Sequence, residues 1–145
     1  MYKINDMKLI TFISAGAFIL LSAFIMKKEN TTQTISLYNT KWSLKKIHSD
    51  AGVEEVNTKA FIQFNQEMKS AGGNGSCNSF GSSFTISGNT IGFKNIFSTK
   101  MYCEGVQQIE DVFLKQLEKV NRFEVKDKTL VLYSGNGILL EFESE

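Results

Sequence analysis

From Trp42 to Phe142, hydrophobic residues recur at every second position in short runs, and only one stretch breaks that rule. Trp42 and Leu44 begin the pattern. Ile62 and Phe64 lie on one face of the stretch Ala60–Asn65, and Phe80, Ser82, Phe84 and Ile86 share a face further on. Ile91 and Phe93, Phe123 and Val125, Leu130 and Leu132, and finally Ile138, Leu140 and Phe142 repeat it. A period of two sends alternate side chains to opposite faces, so each run predicts a half-buried strand. Ile47 is out of phase with Leu44, which predicts a bulge or strand end near Lys46.

Between Glu104 and Val120 the period changes. Val106, Ile109, Phe113, Leu117 and Val120 are separated by three, four, four and three residues and form one helical stripe. Glu104, Glu110 and Asp111 come early and Lys115 and Lys119 late, an order that suits the helix macrodipole. Asp111 and Lys115 are spaced as an i,i+4 pair. These charges are expected on a solvated face. Strands, one helix, then strands predict an α+β domain: a small antiparallel β-barrel-like curved sheet with the helix packed on it or plugging it.

The chain contains no proline, so its turns rest on Gly, Asn, Ser and Asp. Ser87-Gly88-Asn89 and Gly135-Asn136-Gly137 predict tight turns between strands. Gly72 to Asn78 reads as a glycine-rich loop. It lacks the Gly-Lys-Ser/Thr ending of a phosphate-binding loop, so close backbone packing is the better reading.

Leu9 to Met26 carries no charge and is flanked by Lys3 and Lys8 on one side and Lys27 and Lys28 on the other. As a helix it would span roughly 27 Å, close to a bilayer core. Residues 1–28 therefore read as a signal peptide or an N-terminal membrane anchor, with a buried core helix as the alternative. Residues 29–36 read as a polar tether and 37–145 as the folded domain. Export is expected, leaving the domain outside the cytoplasm, free or held by residues 1–28. Without residues 1–28 the net charge is −2, so nucleic acid is not an expected partner.

Cys77 and Cys103 are the two cysteines. An even count in an exported small domain reads first as a disulfide, worth about 3.5 kcal/mol for this separation in the chain-entropy model. Two buried free thiols, or a reactive or metal-binding thiol, are the alternatives. A Cys77–His48 catalytic pair is conceivable, but His48 sits in the polar run Ile47-His48-Ser49-Asp50 and reads as a surface residue. Two isolated cysteines and one histidine do not have zinc-site spacing. Glu54 and Glu55 would face opposite sides of a strand, and Asp50 and Glu55 read as loop charges. No catalytic residue, metal or cofactor is expected.

Taken in order, several segments resemble the META domain, the family of the heat-shock lipoprotein HslJ. They are Asn39-Thr40-Lys41-Trp42-Ser43-Leu44, Phe64, Cys77-Asn78-Ser79-Phe80 with Gly81, and Ser98-Thr99-Lys100-Met101-Tyr102-Cys103. The helix with Glu110 and Phe113 and the pairs Leu130/Leu132 and Leu140/Phe142 complete the likeness. Trp42, Asn78, Phe80, Thr99 and Met101 are the motif residues, with a structural role. The resemblance implies a bacterial envelope setting, an association with stress tolerance and, for some members, with novobiocin resistance. For an exported domain, that setting implies a place in the periplasm, or anchored to the inner membrane and facing the periplasm. It carries no catalytic residues. Ser76 stands where a glycine usually precedes the Cys-Asn pair. No cysteine lies in or just after the hydrophobic stretch, so membrane attachment would come from residues 9–26 themselves.

The expected function is that of a non-enzymatic envelope protein binding an envelope protein or lipid. A carrier of a small hydrophobic ligand and a secretion-system pilot-type adaptor are the alternatives.

Overall fold

The computed structural model describes residues 35–145; the hydrophobic stretch 9–26, and the signal or anchor expected there, lie outside the described residues. Nine strands and one helix follow in order: β1 (Trp42–Ser49), β2 (Gly52–Glu55), β3 (Phe61–Asn65), β4 (Ser70–Asn74), β5 (Ser79–Ser87), β6 (Thr90–Ser98), α1 (Gln107–Leu117), β7 (Arg122–Lys126), β8 (Thr129–Ser134) and β9 (Gly137–Ser144). All pairings are antiparallel, in the spatial order β2-β1-β3-β4-β5-β6-β7-β8-β9, and β1 also pairs with β9 to close a ring. The expected curved antiparallel sheet with one helix is the observed fold.

Strand β1 holds the ring together. One edge pairs with β9; the other meets β3 through Trp42 and Ser43, then β2 from Lys46 to Ser49. Its register against β9 steps from Leu44↔Phe142 to Lys46↔Glu141, leaving Lys45 as the extra residue. The bulge expected near Lys46 is thus found at Lys45, and it turns Ile47 inward. The join between β6 and β7 is the thinnest, with Thr90↔Arg122 as its single residue pair. Two backbone bonds flank it, from Ile91 N–H to Asn121 O (3.2 Å) and from Phe123 N–H to Asn89 O (2.9 Å).

The ring is filled by side chains. Trp42, Ile62, Phe64, Leu130, Leu132, Leu140 and Phe142 are fully buried. The Trp42 indole N–H donates to Leu37 O at 3.0 Å, which satisfies the ring's one polar atom and brings Leu37 into the core. Helix α1 inserts Phe113 edge-on between Phe80 of β5 (5.4 Å between ring centroids) and Phe142 of β9 (6.0 Å). One aromatic side chain therefore bridges two strands well separated in the ring order.

Several expectations need correction. The helix begins at Gln107 instead of Glu104, because Gly105 takes a left-handed φ of +80° that a helix cannot continue. Its end tightens through Lys119 N–H to Gln116 O and Val120 N–H to Leu117 O, so Val120 is buried beyond the last turn. Gly72 and Gly73 belong to β4 and not to a loop. A Cβ at Gly73 would sit 2.1 Å from Phe61 O, so the close approach of β3 demands glycine there. Strand β2 gives no alternating signal, since all four of its residues are exposed. Ile86 and Ile138 lie near hairpin ends and are exposed.

Candidate functional site

Helix α1 and the turn after β4 are tied by a buried carboxylate. Glu110 is 2% exposed. Its Oε2 accepts the backbone N–H of Cys77 (3.0 Å) and of Asn78 (2.6 Å), and its Oε1 accepts Asn78 Nδ2 (2.6 Å). Charge-assisted bonds of this kind are about twice as strong as neutral ones. Glu110 therefore does not lie on the solvated face expected for the helix charges. Val106, Glu110, Phe113 and Leu117 are spaced four, three and four, and that spacing puts the carboxylate on the inner stripe. Asp111 does face solvent. It accepts a bond from Gln107 Nε2 at 2.9 Å, and the expected Asp111–Lys115 ion pair is not among those within 4.0 Å in the described residues.

Asn78 passes the connection on. Its Oδ1 accepts Thr99 Oγ1–H and Met101 N–H, both at 2.8 Å, and its Nδ2 also donates to Met101 O at 2.9 Å. Cys77 is joined to Cys103 in a disulfide with Cα atoms 5.7 Å apart. Cys103 O in turn accepts Gln107 N–H at 3.1 Å and so helps start α1, which has no side-chain N-cap. Of the motif residues, Asn78, Thr99 and Met101 meet here, and Phe80 abuts the site through Phe113. Trp42 stands apart from these hydrogen bonds in the core beside Leu37.

Two neighbours fit the turn to the carboxylate. A Cβ at Gly75 would lie 2.7 Å from Glu110 Oε2. Ser76 holds φ at +116°, a region that favours glycine, and shares a hydrogen bond of 2.8 Å with Thr58 Oγ1.

A groove of about 620 Å³ runs between the end of β6, the segment 99–102 and α1. Phe97, Met101 and Tyr102 are exposed by 69%, 61% and 80% along it. The Phe97 ring lies over Gly81, where a Cβ would come within 2.7 Å of Cζ. Leu114, Asp111, Lys115 and Glu118 form the helical wall. Apolar periodicity did not reveal this groove, because its helical wall, Asp111, Leu114, Lys115 and Glu118, is a mainly charged stripe and its other wall includes the irregular segment 99–102.

His48 is half-buried in β1 and not a surface residue. Its Nε2 lies 2.6 Å from Glu141 Oε1, and Gln116 Nε2 donates to its carbonyl at 2.6 Å. The Cys77–His48 pair does not form, because the Cys77 sulfur is bonded to Cys103. Asp50 lies in the turn between β1 and β2; Glu54 and Glu55 are exposed on β2 itself, with Glu55 3.8 Å from Lys46. Among the described residues no three His, Cys, Asp or Glu side chains converge as metal ligands. No described helix is long and apolar enough to cross a membrane. At the chain end, hydrogen bonds from Lys41 and then Ser43 hold the Glu145 carboxyl below the usual carboxylate range.

The sequence matches the family described as META domain over residues 34–145. It matches no curated protein. Among solved structures, one determined by NMR for a protein from Burkholderia xenovorans superposes with a TM-score of 0.64 at 22% identity, covering 75% of this chain and 83% of that one. A second NMR structure superposes with a TM-score of 0.56 at 16% identity, covering 75% and 94%. At such identities the likeness is one of fold.

Proposed function

The chain belongs to the META domain family, and from that premise we propose that it is a non-enzymatic binding domain of the bacterial cell envelope. In this reading it is exported, held in the periplasm or at the inner membrane, and contributes to tolerance of envelope stress or antibiotics by binding another envelope component. The carrying observation is how the polar groups of the site are used. Both Glu110 oxygens, both polar atoms of the Asn78 side chain and both sulfurs are engaged in holding the fold. Beside them, three large apolar side chains face solvent among charged ones: Phe97, Met101 and Tyr102. Exposed aromatic and Met side chains grouped along a groove favour binding over chemistry. A disulfide in a small domain favours an oxidising compartment, in keeping with the charge-free stretch at 9–26.

The test is a strain lacking the gene, challenged with heat, detergent and novobiocin, then complemented. We expect sensitisation that wild-type protein reverses and an F97A/M101A/Y102A variant does not. Undiminished tolerance of all three challenges in the deletion strain would overturn the reading.

A further inference from the structure

We propose that the groove between β6 and α1 binds an extended, uncharged peptide segment of another protein, which adds as a strand to the outer edge of Ser98–Lys100. The inference rests on the envelope-binding reading above and names the chemical class of its partner.

The open edge follows from the topology. Strand β6 pairs with β5 along most of its length but reaches β7 through Thr90↔Arg122 alone. Towards Ser98 the ring has no neighbouring strand on that side. Thr99 N–H donates inward to Ser79 O, and Met101 N–H donates inward to Asn78 Oδ1. Successive residues of an extended chain turn their polar groups to opposite sides. Ser98 lies opposite Phe80, next to the bonded Thr99–Ser79 position, so its N–H and C=O point away from β5; those of Lys100 follow the same alternation and make no backbone bond among the described residues. Both residues line the groove. The opposite wall is a helix whose own backbone is internally bonded, so it cannot serve them. A peptide strand can, with main-chain bonds for affinity and side-chain pockets for selectivity.

The lining defines the occupant. Leu114, Phe97, Met101 and Tyr102 offer apolar contact for alternate side chains. Lys100 and Lys115 balance Asp111 and Glu118 in sign, and Glu110 is bonded inward, so the groove matches a peptide without net charge. A second copy of this chain fits less well. Lys94 and the left-handed Asn95 (φ +53°), beside a register shift against β5, interrupt β6 just before the open edge, and such features hinder pairing of identical edges. The disulfide and Asn78 hold segment 99–103 in place before any partner arrives, which lowers the ordering cost of binding.

The experiment uses isotope-labelled full-length protein in phosphatidylcholine nanodiscs, with acetyl-TVTVTV-amide as probe and amide NMR as readout. We expect saturable shifts at the Ser98 and Lys100 amides. Methylating the peptide nitrogens that face β6 should weaken binding by about tenfold or more, the equivalent of one lost hydrogen bond. Ser98→Pro, which removes the outward N–H, should do the same. If that variant does not fold, the methylated peptide tests the complementary bonds, from peptide N–H to the outward carbonyls of Ser98 and Lys100, with the protein unchanged. Absence of shifts at both amides up to about 1 mM peptide, or equal binding of the methylated peptide, would overturn the proposal. So would shifts that appear only when phosphatidylglycerol is added to the nanodiscs, since the groove would then be a lipid site. The two readings fail separately: a sensitised deletion strain with no peptide binding in vitro removes only strand addition, whereas an unsensitised strain removes the envelope role.

Discussion

Single residues at this site differ sharply in consequence even when they are neighbours of the same type. Glu110 and Asp111 are adjacent carboxylates on α1, yet one closes three hydrogen bonds inside the protein and the other meets solvent. Glu110→Ala should leave the Cys77 and Asn78 backbone N–H groups unsatisfied, remove one of the two Asn78 Nδ2 bonds and cost about 3 kcal/mol or more by urea unfolding. Asp111→Ala should change stability by no more than about 0.5 kcal/mol. Equal effects would show that Glu110 does not hold the turn. Glu145 supplies a pH dependence of known sign. Because Lys41 and Ser43 lower its folded pKa, its contribution is present above the unfolded value and fades as pH falls through the folded one. Thermal unfolding of Glu145→Gln should match wild type at acid pH and fall slightly below it at neutral pH. A constant difference across that range would count against the Lys41 and Ser43 contacts.

At the scale of elements, alternation made most strands legible, because inward positions such as Ile62, Phe64, Leu130 and Leu132 had to be apolar. Helix α1 was legible through Phe113 and Leu117. Strand β2 was not, since Gly52–Glu55 bury nothing and are held by pairing with β1. Glu110 was misread because charge type outweighed its position three residues before Phe113. The groove was invisible because unpaired backbone leaves no mark on residue choice. Two elements can be probed directly. Converting Cys77 and Cys103 to serine should cost about 3.5 kcal/mol, lowering Tm by roughly 10–20 °C for a domain of this size. A shift of only a degree or two would mean that the cross-link adds little to the Glu110 and Asn78 bonds. Gly73→Ala should destabilise by about 3 kcal/mol or prevent folding, because the new methyl would strike the Phe61 carbonyl. A stable, soluble alanine variant would show that β3 and β4 lie further apart.

For the molecule as a whole, resistance to opening should vary around the ring. Strands β1, β8 and β9 are joined by long ladders, whereas β6 and β7 share one residue pair. Hydrogen exchange should find the Leu132 and Leu140 amides protected to near the global unfolding limit, and those of Ser98 and Lys100 exchanging first. Uniform protection would contradict an open seam.

The pairing of β1 with β9 has a consequence for biogenesis. Trp42 and Ser144 are register partners although nearly the whole domain separates them along the chain. A polypeptide delivered from its N-terminal side must therefore wait for β9 before the circle can shut. Until then the first strand offers a bare flank to any sticky neighbour. Strand β9 is thus the latch, and a nascent chain stalled before it emerges would be trapped in an aggregation-prone form.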